Sequence, residues 1–519
     1  MKITKLILVT LSFTLLLGSL VAAENAGNGN VRIGYTIIDE KGNQAINQPT
    51  FNDYEGLGLS FEKFYYNFQN GMRLNADLKN ITLNNRNMIL GFGKPGLFGL
   101  SLSNNQYRRI YGAEGGSFTR RSQTGTSLWY YPSKYLKLFG GGSFINLHGS
   151  TTALFYPDLP GAETKMDYRQ NCYNAGFRFN EHGRMFQAEY RTADYKDKLD
   201  PARDQSRYNI RLNALLPFPK YEWVTLSGGF RHFETKYKTT DFKYSTNTVW
   251  GGALLNMTKN LALNYHFIFD RTSSDSDLIA TDNLAHAVYL MLTQPGEGGI
   301  TLGYQNDVND DFANEVRANS FYAAGWYKPG AKWEFRGEFG SRAEDVKDGV
   351  RMLGNEDHTR YRLVLNYREN KTGSLELKYE GKQRKNDDIG SKVDFNRLGA
   401  DGTLIMKKWA DLSGGYSYST GKYENVTQTF EFRDHILYGA LSLHEYHDMT
   451  AACEATYYRS QRDLDVESYN IRVILGYRFA KNHHLEVVYN LHNFDDYLLL
   501  DNYYTANIVE INLIKELSF

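Results

Sequence analysis

Cysteine and proline are scarce in this chain, with two and ten in 519 residues. Cys172 and Cys453 lie far apart and neither belongs to a CxxC or CxxCH motif. That excludes a disulfide framework and a c-type haem held covalently by this chain, although a single disulfide stays open. Charge of one sign is also lacking, since Lys+Arg and Asp+Glu are 59 each. No basic tract points to nucleic acid. Beyond Ala23 there is no run approaching the ~20 apolar residues of a membrane-spanning helix. The prolines that are present, such as Pro95, Pro132, Pro219, Pro295 and Pro329, fall where turns, loops or strand ends are expected, so no ladder hydrogen bond is lost.

What is abundant is aromatic and small: 39 Tyr, 30 Phe and 47 Gly. That composition favours β-structure over packed helices. Residues 1–23 read as a cleaved signal peptide. Lys2 and Lys5 precede an apolar stretch from Leu6 to Leu17, and Val21-Ala22-Ala23 forms a small-residue cleavage site before Glu24. Residues 24–53 read as an N-terminal periplasmic arm with a first strand near Val31 to Ile38, and residues 54–519 as one barrel.

Apolar residues alternate with polar ones in segments of about ten residues, the length a tilted strand needs to cross a hydrocarbon layer. Tyr469, Ile471, Val473, Leu475, Tyr477 and Phe479 take one face, and Asn470, Arg472 and Arg478 the other. Tyr208, Ile210, Leu212 and Leu216 alternate with Arg207, Asn209 and Arg211. Trp333, Phe335 and Phe339 alternate with Glu334, Arg336 and Glu338, and Tyr361, Leu363 and Leu365 with Arg360 and Arg362. Short turns at Gln69-Asn70-Gly71, Lys94-Pro95-Gly96, Glu181-His182-Gly183, Lys328-Pro329-Gly330, Lys407-Lys408, Lys481-Asn482-His483 and similar sites imply about 26 antiparallel strands. Longer polar connections, such as Gly149 to Asp167, Thr272 to Asp282, Asp307 to Glu315 and Ser341 to Asp357, read as extracellular loops.

The fold expected is therefore all-β: a transmembrane antiparallel β-barrel in the outer membrane of a Gram-negative cell. Trp129, Trp223, Trp326, Trp333 and Trp409, each near a short turn, are expected to form an interfacial aromatic girdle. Arg207, Arg211, Glu334, Arg336, Glu338, Arg360, Arg362, Arg472 and Arg478 are expected to face the lumen. Phe519, ending an amphipathic strand, resembles the signal read by the barrel insertion machinery. His444 and His447 beside Asp448, and His483 with His484, sit at predicted turns and read as solvated rather than metal-binding. The acidic clusters around Asp275 and Asp310 have no EF-hand spacing. No Ser/His or Asp/His pairing marks an enzyme.

At ~4.8 Å between strands and about 40° of tilt, such a barrel is about 50 Å across. Something must fill a lumen of that width. The stretch LKNITLNNRNMILGFGKPGLFGLSLSNNQYRRIYG, Leu78 to Gly112, resembles the N-terminal barrel strands of the MtrB/PioB-type outer-membrane proteins, which are similar in strand number. The resemblance implies a sheath around a periplasmic multihaem c-type cytochrome, with haem on the partner only and an extracellular cytochrome as a further partner. The composition fits equally a wide diffusion porin or solute transporter gated by its own loops.

Overall fold

A computed structural model describes residues 27–112, 115–152, 163–218, 220–275, 280–311, 314–348, 356–369, 372–406 and 409–518. The signal segment, Phe519, Pro219, Lys407 and Lys408 lie outside the described residues. Twenty-six strands form one sheet. The first nine are β1 (Gly27–Gly42), β2 (Gly56–Asn67), β3 (Arg73–Lys79), β4 (Asn87–Lys94), β5 (Phe98–Ile110), β6 (Phe118–Ser133), β7 (Leu136–Thr152), β8 (Glu163–Glu181) and β9 (Arg184–Asp197). Next come β10 (Gln205–Phe218), β11 (Tyr221–Tyr237), β12 (Lys243–Asn256), β13 (Leu261–Ser274), β14 (Ala280–Gln294), β15 (Gly298–Asp311), β16 (Asn314–Tyr327), β17 (Trp333–Asp348) and β18 (Asp357–Glu369). The last eight are β19 (Gly373–Asn386), β20 (Ser391–Met406), β21 (Ala410–Glu424), β22 (Thr429–Tyr446), β23 (Met449–Arg462), β24 (Val466–Ala480), β25 (His483–Asp496) and β26 (Tyr504–Ser518).

Each strand pairs antiparallel with its neighbours in sequence, and β1 closes on β26 from Asn28↔Ser518 to Gly42↔Tyr504. Closure leaves the sheet without a free first or last strand, which a lipid environment demands. Tight turns hold the hairpins at one end. At His182-Gly183 both residues have positive φ, 49° and 78°, the geometry of the primed turns whose twist matches the strands. Glycine takes the second of these positions without a Cβ penalty.

Register sorts the side chains into two faces. Leu128, Leu302, Phe321 and Leu363 lie on one face, 52–59% exposed. A belt of that kind is far larger than the apolar patches tolerated in water, and lipid is the solvent that suits it. The opposite face is polar and lines the interior.

Several expectations change. The first strand, expected near Val31 to Ile38, runs from Gly27 to Gly42, and residues 43–55 connect β1 to β2 at the end opposite the tight turns. Most strands also run well past ten residues. β15 includes Asp307 to Asp311, β17 runs on to Asp348, and β8 begins at Glu163, so the longer connections are shorter than expected. Beyond the apolar belt the outer face itself turns polar, with His232, Glu234, Lys243, Arg271 and Asp282, so apolar periodicity stops before pairing does.

β3 and β4, of 7 and 8 residues, are the shortest strands and leave a notch in the wall. The 43–55 connection fills it. The Arg108 amide on β5 donates to Asn52 Oδ1 at 2.6 Å, its Nε donates to the Phe51 carbonyl at 2.8 Å, and its guanidinium stacks over Tyr54 at 4.5 Å. Inside the seam, Tyr504, Ala506 and Ile508 are fully buried against Ile38 and Phe494. The Tyr504 hydroxyl lies 2.8 Å from that of Thr50 and donates to Glu40 at 3.0 Å.

Candidate functional site: the polar wall of the lumen

The nine residues expected in the lumen all fall on the polar face. Arg207 and Arg211 alternate with Tyr208 and Ile210 on β10. Glu334, Arg336 and Glu338 register beside Asn366, Val364 and Arg362. Arg360 lies two residues further along β18, and Arg472 and Arg478 alternate with Ile471 and Tyr477 on β24.

The girdle is less uniform. Trp333 lies on the apolar face, its ring 4.7 Å from Tyr367. Trp129 and Trp326 do not; they alternate with Leu128 and Tyr327 and point to the polar side. Each covers a glycine on the neighbouring strand. A Cβ at Gly99 would meet the Trp129 indole at 2.5 Å, and one at Gly299 would meet that of Trp326 at 2.7 Å. Lysines lie over both rings, Lys137 at 5.6 Å from Trp129 and Lys328 at 5.3 Å from Trp326. These indoles thus fill the space over cross-strand glycines and hold cations, a role near the turns that lipid anchoring does not describe. Trp223 lies near the start of β11, edge-on to Tyr221 at 6.4 Å, and Trp409 immediately precedes β21.

Charge on this wall is handled differently from arc to arc. Across β17–β20 carboxylates lie among the cations: Arg336 with Glu334, Lys328 with Glu334 at 3.2 Å, Lys378 with Glu380 at 2.9 Å, and Arg360 with Glu338 at 3.8 Å, although Arg360 also faces Lys382 across the β18–β19 pair. Arg342 bridges Asp307 and Glu344 at 2.5 and 3.0 Å. Across β7–β11 the polar face instead carries Lys137, Arg178, Arg191, Arg207, Arg211 and Arg231. Neutral amides hold three of these: Gln187 accepts from Arg178 at 2.7 Å, Gln205 from Arg207 at 3.0 Å and Asn213 from Arg211 at 3.3 Å. Arg211 and Arg231 are direct cross-strand partners. Glu189 is the carboxylate in the middle of this arc, buried and bound by Arg191 at 2.7 Å and Asn174 at 3.3 Å.

The sequence singled out Arg207 and Arg211 here; Lys137, Arg178, Arg191 and Arg231 were missed. Each alternates with outward-facing residues on its own strand, and that parity was the readable signal.

Other candidates separate. Cys172 and Cys453 are free thiols, the first on the polar face beside Ala193 and Ser143, the second on the apolar face between Leu441 and Val473. His444 lies 3.3 Å from Asp411, and His447 packs edge-on against Tyr446 at 4.0 Å. His483 rests against Phe479 at 5.9 Å, and His484 lies 3.9 Å from Glu516. Among the described residues no group of three or more His, Cys, Asp or Glu is arranged to hold a metal ion.

At the seam a cavity of about 290 Å³ is lined by Arg32, Thr36, Asp53, Glu62, Glu510 and Asn512, among others. Burial, and then the neighbouring Glu510, push the Asp53 carboxyl up to about 6, against the pull of Arg108.

No known family profile matches the sequence, and no curated protein matches it significantly. Solved structures do match the fold. The siderophore receptor PirA from Pseudomonas aeruginosa superposes with a TM-score of 0.52 at 12% identity, covering 81% of this chain and 80% of that one. A mutant of the ferric enterobactin receptor PfeA, also from Pseudomonas aeruginosa, gives 0.52 at 12% identity over 95% and 81%. The ferric yersiniabactin uptake receptor FyuA from Yersinia pestis gives 0.52 at 10% over 95% and 80%. At such identities the likeness is one of fold. Closed antiparallel strands, an apolar outer belt and this likeness define the class: the chain is a large outer-membrane β-barrel.

Proposed function

We propose that this barrel is a passive, non-enzymatic sheath whose lumen holds a separate periplasmic protein, a multihaem c-type cytochrome that carries electrons across the outer membrane. One observation carries the reading. The described residues are spent almost wholly on the wall, and the longest described connection, 43–55, closes the notch above β3 and β4 rather than spanning the interior. Outer-membrane transporters of about 22 strands enclose a plug. A 26-strand wall is wider still.

Polar side chains on a rigid wall suit a soluble protein, because each can exchange a water contact for a protein contact at little net cost. The cytochrome identity rests on the likeness of Leu78 to Gly112 to the MtrB/PioB-type barrels. Haem belongs to the partner in this reading, and none to this chain.

The test is the visible absorption spectrum of the barrel purified gently from its own outer membrane. A Soret band that co-elutes at fixed stoichiometry, and is lost from the barrel fraction in strong denaturant, is the expected result. An intact folded barrel without haem overturns the conduit and leaves solute passage, to be pursued by single-channel conductance.

A further inference from the structure

The basic arc on β7–β11 calls for a counter-charge that the wall does not supply. Arg211 and Arg231 face each other across a strand pair, where like charges repel. Arg178, Arg207 and Arg211 are oriented by neutral amides, which fix a guanidinium without spending its charge. Arg211 also lies over the Trp250 ring at 5.8 Å, so its stem and plane are held in place. Glu189 is already committed to Arg191 and Asn174. On the β17–β20 arc Arg360 likewise faces Lys382, but there Glu338 and Glu380 lie within reach of Arg360 and Lys378.

We propose that the polar face of β7–β11 is a docking wall for an acidic face of the protein that occupies the lumen. The inference rests on the sheath reading and deepens it: it fixes which side of the occupant meets which strands. Screening argues for a docked macromolecule over a passing solute. At physiological salt the field of these charges dies away within about 8 Å, a small part of a barrel whose backbone is about 50 Å across. Only a surface pressed against the wall feels them. An acidic surface placed there offsets the cost of taking these exposed arginines out of water through bidentate carboxylate contacts, for which the fixed guanidinium planes are preorganised. Docking on one arc also sets the occupant's rotation within the closed barrel.

The experiment uses the full-length barrel with its partner. A triple variant, Arg207→Gln, Arg211→Gln and Arg231→Gln, is compared with wild type and with Lys236→Gln, Lys243→Gln and Arg271→Gln, which removes the same charge from the outer face. Folding is checked by heat-modifiable electrophoretic mobility. Partner retention is then followed as NaCl is raised. The lumen triple is expected to bind its partner at least tenfold more weakly and to show a shallower salt dependence, with the outer triple unchanged.

Reversal potentials of partner-free barrels in a low-salt KCl gradient give a second readout. Wild type is expected to prefer anions, and the lumen triple to lose much of that preference. A partner retained equally by the folded lumen triple overturns the docking wall and leaves the sheath intact. An unchanged reversal potential overturns the placement of the arc in the lumen. If no partner is recovered from wild type, the sheath reading falls and the docking wall with it.

Discussion

The arcs β7–β11 and β17–β20 each set two cations opposite one another, Arg211 with Arg231 and Arg360 with Lys382, yet they differ in what lies beside those cations. On β17–β20, Glu334, Glu338 and Glu380 lie within reach of Arg336, Arg360 and Lys378. On β7–β11, glutamine and asparagine take the places that carboxylates hold on the other arc. The β17–β20 arc carries carboxylates among its cations, and the β7–β11 arc carries Glu189 alone in its middle, already bound by Arg191 and Asn174. The seam between β26 and β2 is a third case, in which the wall is covered by the 43–55 connection, whose own Asp53 is partly buried against it. Net charge, zero for the chain, conceals all three arrangements.

The widest contrast is between the open arcs and the covered seam, and pH separates them. Asp53 in the folded barrel holds its proton up to about 6, against 3.8 in the unfolded chain. Between those values the folded state binds more protons at this site than the unfolded one, so the contribution of Asp53 to stability is fully present below about pH 4 and is lost as pH rises through 6. The loss is up to about 3 kcal/mol at 1.36 kcal/mol per unit. Asp53→Asn is expected to flatten urea-unfolding stability across that window and to raise it near pH 7.5. An unaltered pH profile in the variant would show that the carboxyl is not the source.

A smaller effect is expected where aromatic rings cover glycine. Gly99→Leu drives a side chain into the Trp129 indole and is expected to cost about 1–3 kcal/mol. Trp129→Ala in the same chain should relieve much of that, and a double-mutant cycle measures the coupling. Additive costs would mean that the two side chains do not meet.

The smallest change in stability tests the arcs themselves. Glu338→Gln removes the partner of an exposed arginine, Arg360, and should cost no more than about 1 kcal/mol. Combined with Glu334→Gln and Glu380→Gln, it turns β17–β20 into a second basic arc. Low-salt anion preference of the partner-free barrel should then rise, and no rise would show that these pairs do not govern the lumen field.

Strand number and the tight turns were legible in the sequence. Turn chemistry such as His182-Gly183 is local, and a two-residue period needs no knowledge of partners. Strand ends were not, because the outer face becomes polar beyond the lipid, as at His232 and Glu234, while pairing continues. Trp129 shows that proximity to a turn is a weaker guide than parity, since its neighbours Leu128 and Tyr130 already claimed the apolar face. The 43–55 connection has no period at all; its place follows from the shortness of β3 and β4. The basic arc needed register as well, because only pairing brings Arg178, Arg191 and Arg231 alongside Arg207 and Arg211.

Cys172 offers a direct measure of what fills the lumen. It sits on the polar face in register with Ala193, which in turn pairs with Arg207. In intact outer membranes, labelling of this thiol by a charged, membrane-impermeant maleimide is expected to be slow, and to quicken several-fold once the occupant is stripped from the purified barrel. Cys453, on the lipid face, serves as the internal control. Equal and rapid labelling of Cys172 before and after stripping would mean an open lumen, and would contradict the sheath.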